Sequence, residues 1–174
     1  MPRAGLCVLL GLLACNAAGG DRRTGEGELE ARWTDSAGTA VFIAPAEGRW
    51  CARDSMLEIL AARNDSAVGI ALYARDSLRV EGYPVFLAGL FAPWRPQATA
   101  ALRLLTPNEI RNFASSWGQV ILTEAAGGRV TGTFDLHLKR PTAPDSVQVT
   151  GRFALVAIRP ASPSCGRANK PPTR

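Results

Sequence analysis

Four cysteines, Cys7, Cys15, Cys51 and Cys165, and one histidine, His137, are the side chains best suited to chemistry in this 174-residue chain. A thiolate can attack, oxidise or bind metal, and an imidazole can move protons or bind metal. Their spacing removes most of that chemistry. No Cys-x-x-Cys pair exists for redox exchange, and no His-Glu-x-x-His for zinc. A Gly-x-Ser-x-Gly elbow and a phosphate-binding glycine loop are absent too. A single histidine cannot build a His-rich site, so the sequence implies neither metal nor cofactor. His137 follows Asp135 by two residues in an alternating stretch. The two could pair, but a solvated strand face is the reading adopted. The sequence thus points away from an enzyme. Carboxylate pairs of the glycosidase kind depend on separation in space, which sequence does not display.

Cys15 has the most informative surroundings. Met1-Pro2-Arg3 is a short positive start, and the eleven residues Ala4 to Ala14 are apolar. That length suits a secretory signal and is too short for an ordinary membrane-spanning helix. The stretch closes on Leu12-Leu13-Ala14-Cys15. It resembles the lipobox of bacterial lipoprotein precursors: an apolar residue at −3, a small one at −1, then Cys. Leu13 at −2 is less typical than Ala, Ser or Thr. The resemblance implies that the Cys15 thiol is alkylated with diacylglycerol, that the chain is cut after Ala14, and that the new amino group is acylated. Two or three acyl chains anchor stably where one would be marginal. Asn16, rather than Asp, favours the outer over the inner membrane.

With Cys7 discarded and Cys15 acylated, Cys51 and Cys165 remain in an oxidising compartment, where two thiols usually pair. The bond would close a loop of roughly 115 residues, worth about 4–5 kcal/mol in the chain-entropy model. It would pin the tail of the chain onto the domain.

The net charge of +5 resembles a nucleic-acid signal until it is located. Asn16 to Ile158 holds 15 acids and 15 bases, whereas Arg159, Arg167, Lys170 and Arg174 come without an acid. The excess is a solvated tail, with anionic lipid or polysaccharide as the alternative contact, and nucleic acid is not expected as a partner. Residues 1–14 are read as the signal, 15–27 as a Gly-rich tether reaching about 20 Å, 28–158 as one domain, and 159–174 as a Pro-rich basic tail.

The elements that must position any site read as strands. Glu28 to Trp33 alternates, with Leu29, Ala31 and Trp33 on one face. Turn signals at Ala52–Ser55, Arg63–Ser66 and Ala74–Ser77 place an Asp every eleven residues. They predict an antiparallel meander of Met56–Ala62, Val68–Tyr73 and Leu78–Tyr83, with Asp and Ser as turn residues rather than calcium ligands. Val130-Thr-Gly-Thr-Phe-Asp-Leu136 is echoed by Val149-Thr-Gly-Arg-Phe-Ala-Leu155. Val130, Gly132, Phe134, Leu136 and Leu138 share one face, as do Val147, Val149, Gly151, Phe153 and Leu155. The inward glycines let an aromatic ring lie across each strand. Arg140–Asp145 is the hairpin loop. With Gly118–Thr123 before it, this hairpin resembles uncharacterised secreted β-sandwich proteins of bacteria, a generic likeness that implies the fold and no activity.

Two segments read otherwise. Thr106-Pro107-Asn108-Glu109 is a capping box, predicting a short helix over 107–114 with Ile110, Phe113 and Trp117 on one face, or a loop into the next strand. Tyr83–Trp94 carries no charge. It is either a buried strand with a packed turn or an exposed loop that grips lipid or a partner through Val85, Phe86, Leu87, Leu90 and Phe91. The expectation is an all-β protein, an antiparallel sandwich or barrel of about 9–11 strands. Its role is that of a non-catalytic structural or interaction module of the cell envelope, meeting the membrane through Cys15 and an envelope protein through its surface. The alternative is a lipocalin-like carrier of a small apolar ligand.

Overall fold

The computed structural model describes residues 27–35, 38–87 and 96–160. Nine strands lie among them: β1 (Gly27–Asp35), β2 (Gly38–Cys51), β3 (Met56–Arg63), β4 (Ser66–Tyr73), β5 (Gly82–Val85), β6 (Gln97–Leu105), β7 (Ile110–Ala126), β8 (Arg129–Lys139) and β9 (Ser146–Pro160). They close into one ring in the order β1-β2-β3-β4-β6-β5-β7-β8-β9, and β9 pairs back onto β1. Neighbours are antiparallel except where β9 runs parallel to β2 and β5 touches β6. The all-β expectation holds.

Alternation dictates which way each strand faces. In β1, Leu29, Ala31 and Trp33 point inward, as their spacing requires. β8 does the same with Val130, Gly132, Phe134, Leu136 and Leu138. The two inward glycines have a shared purpose. Gly132 pairs with Phe153, and Phe134 with Gly151. A Cβ at Gly132 would lie 2.6 Å from Phe153 Cζ, and one at Gly151 2.5 Å from Phe134 Cζ. Each phenyl ring therefore occupies the place of the opposite residue's missing side chain.

The ring is filled by its own side chains. Leu29, Ala31, Leu57, Ile59, Ala61, Leu72, Ala98, Val120, Val130, Leu136, Val149, Phe153 and Val156 are all 0% exposed. No water-sized space opens beside any of them, which is the packing of an ordinary protein interior. Burial of each of the larger ones contributes about 1.5–3 kcal/mol. Outward positions carry charge, such as Glu28 and Arg32 in β1 and Asp135 and Lys139 in β8. A transmembrane barrel has the reverse arrangement. Among the described residues no helix is long and apolar enough to cross a membrane.

Four expectations are corrected. The segment 107–114 is not helical: β6 turns into β7 there, with Leu105 paired to Ile110. The capping hydrogen bond does form, from the Glu109 N–H to Thr106 Oγ1 at 3.1 Å. The chain after it runs extended because pairing with β6 buries Phe113 on a two-residue period and leaves Ile110 and Trp117 outside. Second, Leu78–Tyr83 is not the third strand of a meander. Only Gly82–Val85 is a strand, and it pairs antiparallel with β7. β4 takes β6 as its neighbour instead. Third, Leu155 does not share the face of Phe153. A register shift between Val130 and Gly132, with Leu155 at φ +53°, turns Leu155 outward and Val156 inward. Fourth, the first strand begins at Gly27 and the last ends at Pro160, beyond the 28–158 limits expected.

Candidate functional site

The positions singled out in the sequence do not converge. Cys15, Cys165, Leu90 and Phe91 lie outside the described residues. Cys51 is buried at the end of β2. In the apolar segment, Val85 is buried, Phe86 half-buried and Leu87 48% exposed. Tyr83 just before them is fully buried. Its hydroxyl donates to the Arg79 carbonyl and accepts from the Arg79 N–H, both at 3.2 Å. Burial pushes the Tyr83 phenol upward. The described half of the segment is thus mainly core, leaving Leu87 as its exposed apolar side chain. Among the described residues no cluster of three metal-ligating side chains occurs.

Polar side chains gather in two other places. The first is one end of the ring. Asp35 continues the inward row of Trp33, and Arg111 that of Phe113, and they meet across the opening at 2.9 Å. The Arg111 guanidinium sits 5.2 Å from the centre of the Phe113 ring. Glu109 lies 3.7 Å from Arg111 and 2.8 Å from Arg140, which also reaches Asp145 at 3.4 Å. Hydrogen bonding to Glu109 raises the Arg140 pKa still further above its ordinary value. The network ties the 106–109 turn and the 140–145 loop to β1. Its charges are satisfied by one another, so it closes the end.

The second place is the outer face of β7, β8, β9 and β1. Register sets side chains there in rows. Trp117 stands opposite His137, His137 opposite Gln148 and Gln148 opposite Thr34. The next row runs Gln119, Asp135, Thr150, Arg32, and the one after it Ile121, Thr133, Arg152, Glu30. Gln148 donates to Asp135 at 3.0 Å, so the Asp135 carboxylate is engaged by Gln148. His137 stacks on the Trp117 ring, with centroids 4.9 Å apart and planes 9° apart. Its Nδ1 is shielded from solvent and finds no hydrogen-bond partner. Stacking is therefore what the geometry assigns to His137.

At the far side of this face, Glu30 receives Arg32 at 3.1 Å and Arg152 at 2.9 Å. Hydrogen bonds from Arg32 and then Arg152 hold its carboxyl below the usual carboxylate range. These three residues, with Thr133, Thr150 and Gly151, line an open depression of about 470 Å³.

Trp117 is on the outside because the backbone departs from alternation. Phe113 and Ser115 face inward, and strict alternation would send Trp117 in with them. A bulge between Ser115 and Trp117 inserts Ser116 and reverses the side. Gly118 comes next at φ +136°, packed so closely on Asp135 and Leu136 that a Cβ would strike their backbone. Trp117 is left 57% exposed. The dipeptide Trp117-Gly118, two residues past the inward Ser115, is the signal in sequence that marks this site.

No protein-family model, curated protein or solved structure matches the chain.

Proposed function

We propose that the protein is a cell-envelope lipoprotein, acylated at Cys15, whose ring-shaped domain is a non-catalytic interaction module that works with its outer surface. The observation that carries the reading is the filled ring. A carrier of a small apolar ligand needs a cavity, and Leu29, Ile59, Val149 and Phe153, which would line it, are closed to a water-sized sphere. What is exposed instead is an aromatic side chain that two adjacent backbone irregularities turn outward. A soluble surface rarely displays such a group without a use.

The anchor rests on Leu12-Leu13-Ala14-Cys15 and the charged, apolar stretch before it. Asn16 favours the outer membrane as its destination. A bridge between Cys51 and Cys165 belongs to the same reading, because export exposes both thiols to an oxidising compartment. The register supports it: Trp50 pairs with Pro160, so β9 ends beside Cys51 and only five residues before Cys165.

Cys15→Ser tests the reading. The substituted protein is expected to leave the membrane fraction and to accumulate as an uncut precursor. Mass spectrometry of the mature wild-type protein should find a diacylglyceryl group on an N-terminal Cys15. An unacylated N-terminus at Asn16 or elsewhere would contradict the anchor.

A further inference from the structure

We propose that the outer face of β7, β8, β9 and β1 binds a neutral polysaccharide, with Trp117 as the platform on which a sugar ring lies. The proposal rests on the reading of the domain as an interaction module and names the class of its ligand. A pyranose ring presents C–H groups on its faces and hydroxyls around its rim. It is recognised by an exposed aromatic plane beside planar groups that donate and accept in pairs. This face supplies both. Trp117 has one side of its ring held by His137 and is otherwise 57% exposed. Gln119, Asp135 and Gln148 surround it in register, and amides and carboxylates are suited to bidentate hydrogen bonds with neighbouring hydroxyls.

The surface extends away from Trp117. From β7 to β1 it crosses three strand spacings, about 14 Å, which suits a chain molecule better than a single sugar. It ends in the depression lined by Glu30, Arg32, Thr133, Thr150, Gly151 and Arg152, where hydroxyls and guanidinium groups face solvent.

Charge decides between occupants. Arg32 and Arg152 are balanced by Glu30 and Asp135, so the face carries no net charge. A nucleic acid or other polyanion would require a basic excess to replace its counterions. A protein partner would call for an apolar surround about a buried anchor, whereas the immediate neighbours of Trp117 across and along the sheet are His137, Gln119 and Asp135. An uncharged polyhydroxyl chain matches both the aromatic plane and the balanced polar rows.

The test uses the full mature chain and calorimetric titration with cellohexaose, laminarihexaose and chitohexaose, with heparin as the polyanion control. At least one of the three neutral hexasaccharides is expected to bind. Trp117→Ala should weaken that binding at least tenfold with little change in melting temperature, and Trp117→Tyr should restore most of it. Thr150→Arg, two strands away and on the surface, should weaken it by a similar factor by filling the depression. Thr150→Arg decides the matter where Trp117→Ala does not fold. Binding of none of the three hexasaccharides overturns the proposal, as does binding of heparin alone. Undiminished hexasaccharide binding by the folded variants also overturns it. Each of these failures leaves the filled ring, and the reading built on it, in place.

Discussion

Replacing Gly151 by Ala is expected to lower the stability of the domain by about 3 kcal/mol, at the upper end of the range for overpacking a close-packed core. The added methyl would lie 2.5 Å from Phe134 Cζ and would also strike the carbonyl of Glu30 on the neighbouring strand. The phenyl ring could move, but the backbone of β1 cannot without breaking its pairing with β9. At about 2–8 °C per kcal/mol for domains spanning this size, the melting temperature should fall by 6 °C or more. Gly132→Ala should act similarly, through Phe153 and the Ile121 carbonyl. Adding Phe134→Leu to Gly151→Ala should recover only part of the loss, since it relieves the ring and leaves the carbonyl contact. A Gly151→Ala protein that melts with the wild type would contradict the reciprocal packing.

Opening the bridge between Cys51 and Cys165 should be of comparable or larger effect. Cys51 is buried where β2 ends, and the parallel pairing of Gly48–Trp50 with Ile158–Pro160 brings the end of β9 to it. For a closed loop of roughly 115 residues the chain-entropy model gives about 4–5 kcal/mol. The expected result is that reductant lowers the melting temperature of the wild type, and that Cys165→Ser melts like the reduced wild type and no longer responds to reductant. Cys165 is the better substitution, because a serine at the buried position 51 would add an unsatisfied hydroxyl. A wild-type melt unmoved by reductant, with both thiols free in peptide maps, would contradict the bridge.

Much of the ring was legible in sequence where inward and outward residues alternate without interruption. β1, β8 and the first half of β9 were read with their correct faces, and Gly132 and Gly151 with their correct purpose. The misreadings share a cause. At Ser116 and at Leu155 one extra residue reverses the side of every residue beyond it, and a period-two reading has no means of seeing an insertion that the partner strand defines. Thr106 and Glu109 make the local hydrogen bond of a helix start, yet pairing with β6 sets the conformation of residues 110–114, because it buries Phe113. β5 could not be placed because its partner, β7, is more than thirty residues distant in sequence. The candidate site failed to appear for the same reason. Trp117, Gln119, Asp135, Gln148, Thr150, Arg32 and Arg152 belong to four strands, and only register brings them together.

The central claim is that the interior is occupied by the protein's own side chains, which places function on the outside of the ring. Titration of the folded, mature protein with a fluorescent fatty acid tests it most directly. The side chains that close the interior, Leu29, Ile59, Val149 and Phe153 among them, leave no room for an acyl chain. The expected result is no saturable rise in fluorescence and no displacement on adding oleate. Stoichiometric, saturable uptake that oleate reverses would contradict the claim and make the protein a carrier.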